Sequence, residues 1–272
     1  MDNNCILICP VCGKRLVRLD NTYRCENRHS YDISRKGYVN LIMSQKSSKK
    51  RHGDDKLMIA ARRSFLRKQY YRPIADAAVS VIKKSGTIMN TAVDIGCGEG
   101  YYTALLHEAF PECSFYGIDI SKDALNYAAA ADKTLTLAAA SAAALPIESC
   151  CADCAVNIFA PIFPNGVKRI LKPNGILIRA VPLEDHLYGL KKAIYKKAYK
   201  NPSEEWLLEG LNIADTYDVE YNITLSDHKD IEDLFMMTPY YYKTSREDQQ
   251  RLSAVSELQT EIRVRIIAYK AI

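Results

Sequence analysis

The sequence predicts an α/β fold, a parallel sheet with helices on both faces, preceded by a small metal-binding module. Three observations carry this. After Gly86, apolar runs of strand length alternate with helical stretches, as in successive βαβ units. The first such strand ends in Asp94-Ile95-Gly96-Cys97-Gly98-Glu99-Gly100, a glycine-rich loop ahead of a helix. Upstream, Cys9, Cys12, Cys25 and His29 fall together within residues 1–45.

Residues 1–45 read as a compact Cys/His unit with short β-like runs, of which 38–42 is the last strand. Residues 46–72 read as a basic linker and helix, and 73–272 as the main domain. Residues 44–56 are polar and charged with one glycine, a linker by composition. From Leu57 the pattern turns helical: Met58, Ala61, Phe65 and Leu66 share a face, with Arg62, Arg63, Arg67 and Lys68 on or near the other. Pro73 suits the first turn of a second helix reaching Ile82. A strand at 91–95, a helix at 101–110 and a strand at 114–119 follow, then a helix at 122–131 capped by Ser121. Strands are expected at 134–138 and 155–159, a helix at 167–171, and a Lys172-Pro173-Asn174-Gly175 turn feeding a strand at 176–181. A Lys-rich helix at 187–199 comes next. Segments 217–225 and 261–269 alternate apolar and polar residues, as antiparallel strands at a sheet edge do.

Composition narrows the classes. Hydrophobic residues make up 48% and charged residues 25%, ordinary for a water-soluble globular chain, and the apolar runs are too short and interrupted to span a bilayer. Met1-Asp2-Asn3-Asn4 offers no basic region before an apolar stretch, so no signal peptide is expected. Nine scattered cysteines do not form a secreted disulfide framework and fit a reducing cytoplasm. Cys97, Cys113, Cys150, Cys151 and Cys154 read as small buried hydrophobes. Charge is uneven: residues 46–72 hold ten Lys/Arg against two Asp/Glu, and residues 1–45 hold seven against four. A polyanionic partner, RNA or DNA, is expected there. Its phosphates would meet Lys49, Lys50, Arg51, Arg62, Arg63 and Arg67, while His52 reads as solvated or phosphate-facing.

The glycines of the loop permit a sharp turn and close approach to a ligand, and the helix that follows presents its amides. The third glycine comes one residue earlier than in the dinucleotide fingerprint, and Asp94 and Glu99 would repel a pyrophosphate. Two carboxylates suit a cationic nucleoside bearing an amino acid, which is S-adenosylmethionine. Asp94, Gly96, Gly98, Glu99 and Gly100 are therefore cofactor candidates. Asp119, at the end of the second strand, suits ribose hydroxyls, and Ser141 and Ala142 lie where adenine would rest. Asn157-Ile158-Phe159-Ala160-Pro161 ends the fourth strand where substrate should approach; it lacks the Asn/Asp-Pro-Pro-Tyr/Phe pattern of exocyclic-amine methyltransferases. The spacing C-x2-C-x12-C-x3-H of Cys9, Cys12, Cys25 and His29 closes a four-ligand set, so a structural zinc is expected, with Cys5 outside the paired spacing.

These features resemble the bacterial 23S ribosomal RNA guanine-N1 methyltransferases with an N-terminal zinc finger. The resemblance spans nearly the whole chain. It rests on Cys9-Pro10-x-Cys12, Cys25-x3-His29-x2-Asp32, Gly37-Tyr38-Val39-Asn40-Leu41, Gly53-Asp54, Ala61-Arg62-Arg63-x-Phe65-Leu66 and Tyr71-x-Pro73. It continues through Val93 to Thr103, Phe159-Ala160-Pro161, Pro182-x3-His186-Leu187 and Met237-Thr238-Pro239. It implies a Rossmann-like class I S-adenosylmethionine-dependent methyltransferase domain beside the zinc module. It implies that Cys9, Cys12, Cys25 and His29 bind zinc, and that Tyr71, Gly98, Glu99 and His186 contact S-adenosylmethionine. It further implies methylation of N1 of one guanine in a 23S rRNA hairpin, and a homodimer with a basic cleft between zinc modules. Relatives divide between neighbouring guanines of that hairpin, some conferring macrolide resistance.

Guanine N1 carries a proton at neutral pH, so an acceptor near N1 is expected, with Asp185 and Glu184 as candidates by proximity or, alternatively, as helix caps. The base must be unstacked, and Tyr101, Tyr102 and Phe159 could supply a stacking face or simply pack the core. A small-molecule methyltransferase would not need the basic segment, and a non-catalytic RNA binder would not need the acidic loop.

Overall fold

The computed structural model describes residues 5–43, 55–203 and 206–271. The N-terminal module is a three-stranded antiparallel sheet of β1 (Val17–Leu19), β2 (Thr22–Arg24) and β3 (Ser30–Asp32). The next strand, β4 (Tyr38–Asn40), leaves that unit. It pairs in parallel with β7 (Thr136–Ala139) and so forms the edge of the large sheet. Val39 and Leu41 are buried there among residues of both segments, which is why the apolar run closes the large sheet and not the small one.

Two helices lead into the main domain: α1 (Lys56–Arg67), capped by the Asp55 carboxylate, and α2 (Arg72–Lys84), with proline in its first turn. Next come β5 (Thr91–Ile95), α3 (Tyr101–Ala109), β6 (Ser114–Asp119) and α4 (Lys122–Ala131). After β7, a one-turn helix at Ala142–Ala144 stands where a full helix would complete the alternation. Then follow β8 (Ala152–Ile158), α5 (Pro164–Ile170), β9 (Leu171–Pro182) and α6 (Tyr188–Ile194). β10 (Leu211–Leu225), α7 (His228–Met236), α8 (Arg246–Leu252) and β11 (Leu258–Ala271) complete the described chain.

The sheet order is β10-β11-β9-β8-β5-β6-β7-β4, with β11 antiparallel to both its neighbours. The order reverses between β5 and β8, and the carboxyl ends beside that reversal are where an open α/β sheet binds ligands. The expected antiparallel edge is therefore present, and both its strands are longer than their alternating segments.

Helices do not share the two faces equally. One face packs against apolar residues of α1, α2, α3, α4, α6 and α7, the other against α5, Trp206 and the N-terminal module through Leu7 and Leu16. The short connection between β7 and β8 leaves room that the module fills. Three expectations need correction. The Lys-rich helix stops at Ile194, short of 199. Asn174, left-handed at φ 63°, is absorbed within β9, whose assigned strand begins at Leu171. Cys150 is exposed in a turn and Cys151 only half-buried, while Cys97, Cys113 and Cys154 are buried as expected.

Candidate cofactor and zinc sites

The cofactor loop joins β5 to α3. Its three glycines are all left-handed, at φ 83°, 56° and 82°. A Cβ on Gly96 would lie 2.4 Å from Ala160 Cβ, and one on Gly100 2.9 Å from Ala128 Cβ on α4, so these two let the loop close against its surroundings. Gly98 differs. Nothing crowds its missing Cβ except the end of Arg62, 3.9 Å away, so its backbone presents an open cradle.

Asp119, at the end of β6, ties this loop down: one carboxylate oxygen accepts the Gly98 N–H at 2.9 Å, the other the Ser121 N–H at 2.7 Å. Asp94 is buried and accepts a 2.5 Å hydrogen bond from the Thr103 hydroxyl on α3. Burial, with Asp119 and Glu99 nearby, raises its carboxyl to about 7 despite that bond. Glu99 is also buried, its carboxylate 4.0 Å from Arg62. At the end of β8, Asn157 is fully buried; its Nδ2 donates to Ile95 O at 3.0 Å and Pro161 O at 3.3 Å, and its Oδ1 has no partner among the described residues. A buried acceptor lacking a donor, an open glycine cradle and three carboxylates together fit a ligand carrying N–H donors and positive charge. S-adenosylmethionine has both.

Opposite the loop stands an aromatic group. Phe159 is 40% exposed and left-handed at φ 54°, a conformation that costs a bulky residue free energy and clusters at functional sites. Its ring lies 6.1 Å from Tyr71, 6.4 Å from Tyr102 and 6.0 Å from His186, stacked on the last at 23°. His186 is buried, which lowers its imidazole to about 3 and keeps it neutral. Its Nδ1 accepts the Arg263 N–H at 3.2 Å, so Nε2 carries the hydrogen and faces the Tyr71 hydroxyl at 3.4 Å. That leaves the Tyr71 proton for another acceptor. Leu187, left-handed at φ 58°, turns the chain after His186. Ser141 follows β7; its hydroxyl accepts from Ala143 N–H in the short helix that holds Ala142.

The basic candidates separate. Arg62 turns inward toward Glu99, Arg63 lies 4.7 Å over the Tyr127 ring, and Arg67 is exposed. Lys49, Lys50, Arg51 and His52 lie outside the described residues. Glu184 and Asp185 sit on the turn after β9, and Asp185 pairs with Lys200 at 3.0 Å.

In the N-terminal module, two tight turns built on left-handed Gly13 and Arg28 bring Cys9, Cys12, Cys25 and His29 together, their ligand atoms all within 4.8 Å of one another. Cys9 Sγ and Cys25 Sγ are each 3.4 Å from His29 Nδ1, and Cys12 Sγ is 3.7 Å from Cys25 Sγ. A tetrahedron with Zn–S of about 2.3 Å and Zn–N of about 2.0 Å has edges near these lengths, roughly 3.8 and 3.5 Å. Burial raises the Cys9 thiol, but hydrogen bonds from the Tyr31 hydroxyl (3.0 Å) and the Cys12 and Val11 amides outweigh it and bring it down to about 6. Such outer contacts to a ligand sulfur, like the Thr103 bond to Asp94, leave no sequence signal of their own. Cys5 is buried in the core outside the cluster.

Asp94 makes the cofactor site sensitive to pH. Its folded value lies above its unfolded one, so the ligand-free protein is expected to lose stability as pH rises from about 4 through about 7, where the unfolded chain releases a proton that the fold retains. A cation in the loop favours the carboxylate. Affinity for S-adenosylmethionine should therefore tighten with pH up to about 7, by at most about tenfold per unit below that point. Calorimetric titration from pH 5.5 to 8.5 checks this, and Asp94→Asn should flatten the dependence.

Comparison with known proteins gives the family. A zinc-ribbon family model described as "RlmA, N-terminal" matches residues 7–50, and one described as "Methyltransferase domain" matches 92–175. The chain is 34% identical over 208 residues to a Streptomyces fradiae 23S rRNA (guanine(748)-N(1))-methyltransferase, covering 75% of this chain and 73% of that one. It is 30% identical over 270 residues to a Bacillus subtilis (strain 168) protein provisionally assigned 23S rRNA (guanine-N(1)-)-methyltransferase activity, covering 93% and 91%. Among solved structures, geranyl diphosphate C-methyltransferase from Streptomyces coelicolor A3(2) aligns with TM-score 0.43 at 12% identity, over 72% of this chain and 76% of that one.

Proposed function

This chain belongs to the 23S rRNA (guanine-N1-)-methyltransferase family, and from that premise we propose how its residues divide the work. The reaction is transfer of a methyl group from S-adenosylmethionine to N1 of a guanine in 23S rRNA. Gly96, Gly98 and Gly100 cradle the cofactor, Asp119 takes its ribose, and Ser141 and Ala142 flank its adenine. Asp94 and Glu99 supply negative potential, and Asn157 Oδ1 accepts from the ammonium. Tyr71 and His186 close the methyl end. Cys9, Cys12, Cys25 and His29 hold a structural zinc. The bound cofactor brings an already activated methyl group, so the protein's task is to place N1 in line with it and accept the N1 proton.

The observation that carries this reading is β4. It fastens the zinc module to the same sheet that positions the cofactor loop, and being parallel to β7 it ends at the sheet's carboxyl edge. The described part of the basic segment, from Asp55 through α1, leads to Tyr71, beside Phe159 and His186. A structured hairpin held by the module and this segment would lie across the cofactor site. The same reading places the enzyme in the cytoplasm, where the rRNA is, and includes two copies of the chain sharing the basic cleft. No helix among the described residues is long and apolar enough to cross a membrane.

The two arginines of α1 test it. Arg67→Ala is expected to weaken hairpin binding and reduce the slope of log affinity against log salt by about one. Arg62→Ala should leave that slope unchanged and instead weaken S-adenosylmethionine, since it faces Glu99. Filter binding across a salt series, with calorimetry for the cofactor, separates the two. An unchanged slope for Arg67→Ala would remove this residue from the RNA interface.

A further inference from the structure

Beside the turn that carries His186 lies a cavity of about 350 Å³, lined by Leu183, Glu184, Asp185, Trp206, Glu220 and Arg263 among others. It is large enough for a nucleobase and its sugar. Pro182, the last residue of β9, also lines it, so it lies at the carboxyl end of that strand, and Asp185 of its lining immediately precedes His186 in the chain.

The lining chemistry is selective. Three carboxylates against one guanidinium disfavour a phosphate and favour N–H donors. Two of the carboxylates are engaged: Asp185 with Lys200 at 3.0 Å, and Glu220 with Arg263 Nε at 3.6 Å. The exposed Glu184 side chain makes no hydrogen bond or close ion pair among the described residues, although its charge acts on the nearby Lys200 ammonium. Trp206, the chain's single tryptophan, adds an aromatic wall; Arg265 holds its ring from 4.1 Å, and the Tyr269 hydroxyl donates to its carbonyl at 2.8 Å. The turn itself is fixed. Asn201 Nδ2 donates to the Leu183 and His186 carbonyls at 3.0 Å each, and Asn201 N–H to the Glu184 carbonyl at 2.8 Å. Asn201 Oδ1 accepts from the fully buried Lys191 at 2.6 Å and from Tyr240 at 2.7 Å.

We propose that this cavity is the pocket for the acceptor guanine, and that Glu184 is the carboxylate that reads its N1–H and 2-amino edge and takes the N1 proton. Guanine alone among the four RNA bases presents a ring N–H beside an exocyclic N–H₂ on its Watson–Crick edge, matching one carboxylate accepting two hydrogen bonds. In the step, the N1–methyl bond forms as the methyl–sulfur bond breaks. The electron pair of that bond returns to sulfur, and the N1 proton passes to Glu184 and then to water. The proposal rests on the guanine-N1 reading above.

The test uses full-length zinc-loaded protein, a hairpin transcript and S-adenosylmethionine. Glu184→Gln should lower kcat by about 100-fold or more while calorimetry shows unchanged affinity for S-adenosylmethionine. Its remaining rate should climb with pH beyond the wild-type plateau, because hydroxide must then remove the proton. Replacing the acceptor guanine by inosine, which lacks the 2-amino group, should raise the wild-type KM about tenfold and that of Glu184→Gln much less. Trp206→Ala should raise KM for RNA and spare cofactor binding. A Glu184→Gln enzyme within about threefold of wild-type kcat, or one paying the full inosine penalty, overturns the proposal. If the wild type itself leaves guanine N1 unmethylated, the functional reading fails instead.

Discussion

Cys25→Ala is expected to lose the zinc and, with it, at least about 100-fold of affinity for a 23S rRNA hairpin, while S-adenosylmethionine binding changes less than about threefold. A structural zinc contributes roughly 10–16 kcal/mol of apparent binding free energy in small zinc-finger peptides. The module's own strands are three residues each, and a unit of that size has little core to survive the loss. Its face toward the large sheet, which includes Leu7 and Leu16, would then be presented without a fixed frame. The cofactor loop is anchored from β6 and α4, not from the module, which is why the two affinities should part. Metal analysis and filter binding on the same preparation check this. Retained stoichiometric zinc would place the metal elsewhere, and retained RNA affinity would remove the module from the grip on the substrate.

Asp119→Ala should weaken S-adenosylmethionine by about 100-fold or more. The carboxylate loses its charge-assisted bonds to the Gly98 and Ser121 amides, each worth about 1.5–3 kcal/mol, together with its proposed bonds to the ribose. Even 3 kcal/mol exceeds a hundredfold change in affinity. Asp119→Asn keeps one acceptor oxygen and should fall between. An Asp119→Ala protein binding within about threefold of wild type would mean that the loop holds its shape and its ligand without this anchor.

Much of this was legible in the chain. β5, β6 and α4 lie where strand-length apolar runs and the Ser121 cap put them, because alternation and capping are local signals. The zinc set was legible because four ligands from two short turns need fixed spacing. Long-range assembly was less so. β4 joins the large sheet because Val39 and Leu41 find apolar partners about a hundred residues away, in and beside β7, and periodicity carries no such address. The inward turn of Arg62 depends on Glu99, a residue on another element. Trp206 stands alone in an irregular segment, and only β10 and β11 bring Glu220 and Arg263 to the cavity it lines. The buried Lys191–Asn201–Tyr240 contact that fixes the His186 turn draws on three segments, none informative alone.

The proposed reaction delivers one methyl group to guanine N1 of a 23S rRNA hairpin. Primer extension on rRNA after incubation with the purified protein and S-adenosylmethionine tests it directly, since N1 methylation blocks Watson–Crick pairing and halts the polymerase. A single new stop at one hairpin guanine is expected, with one methyl group per RNA by mass. Methyl incorporation without a stop, or a stop at a base other than guanine, would contradict it.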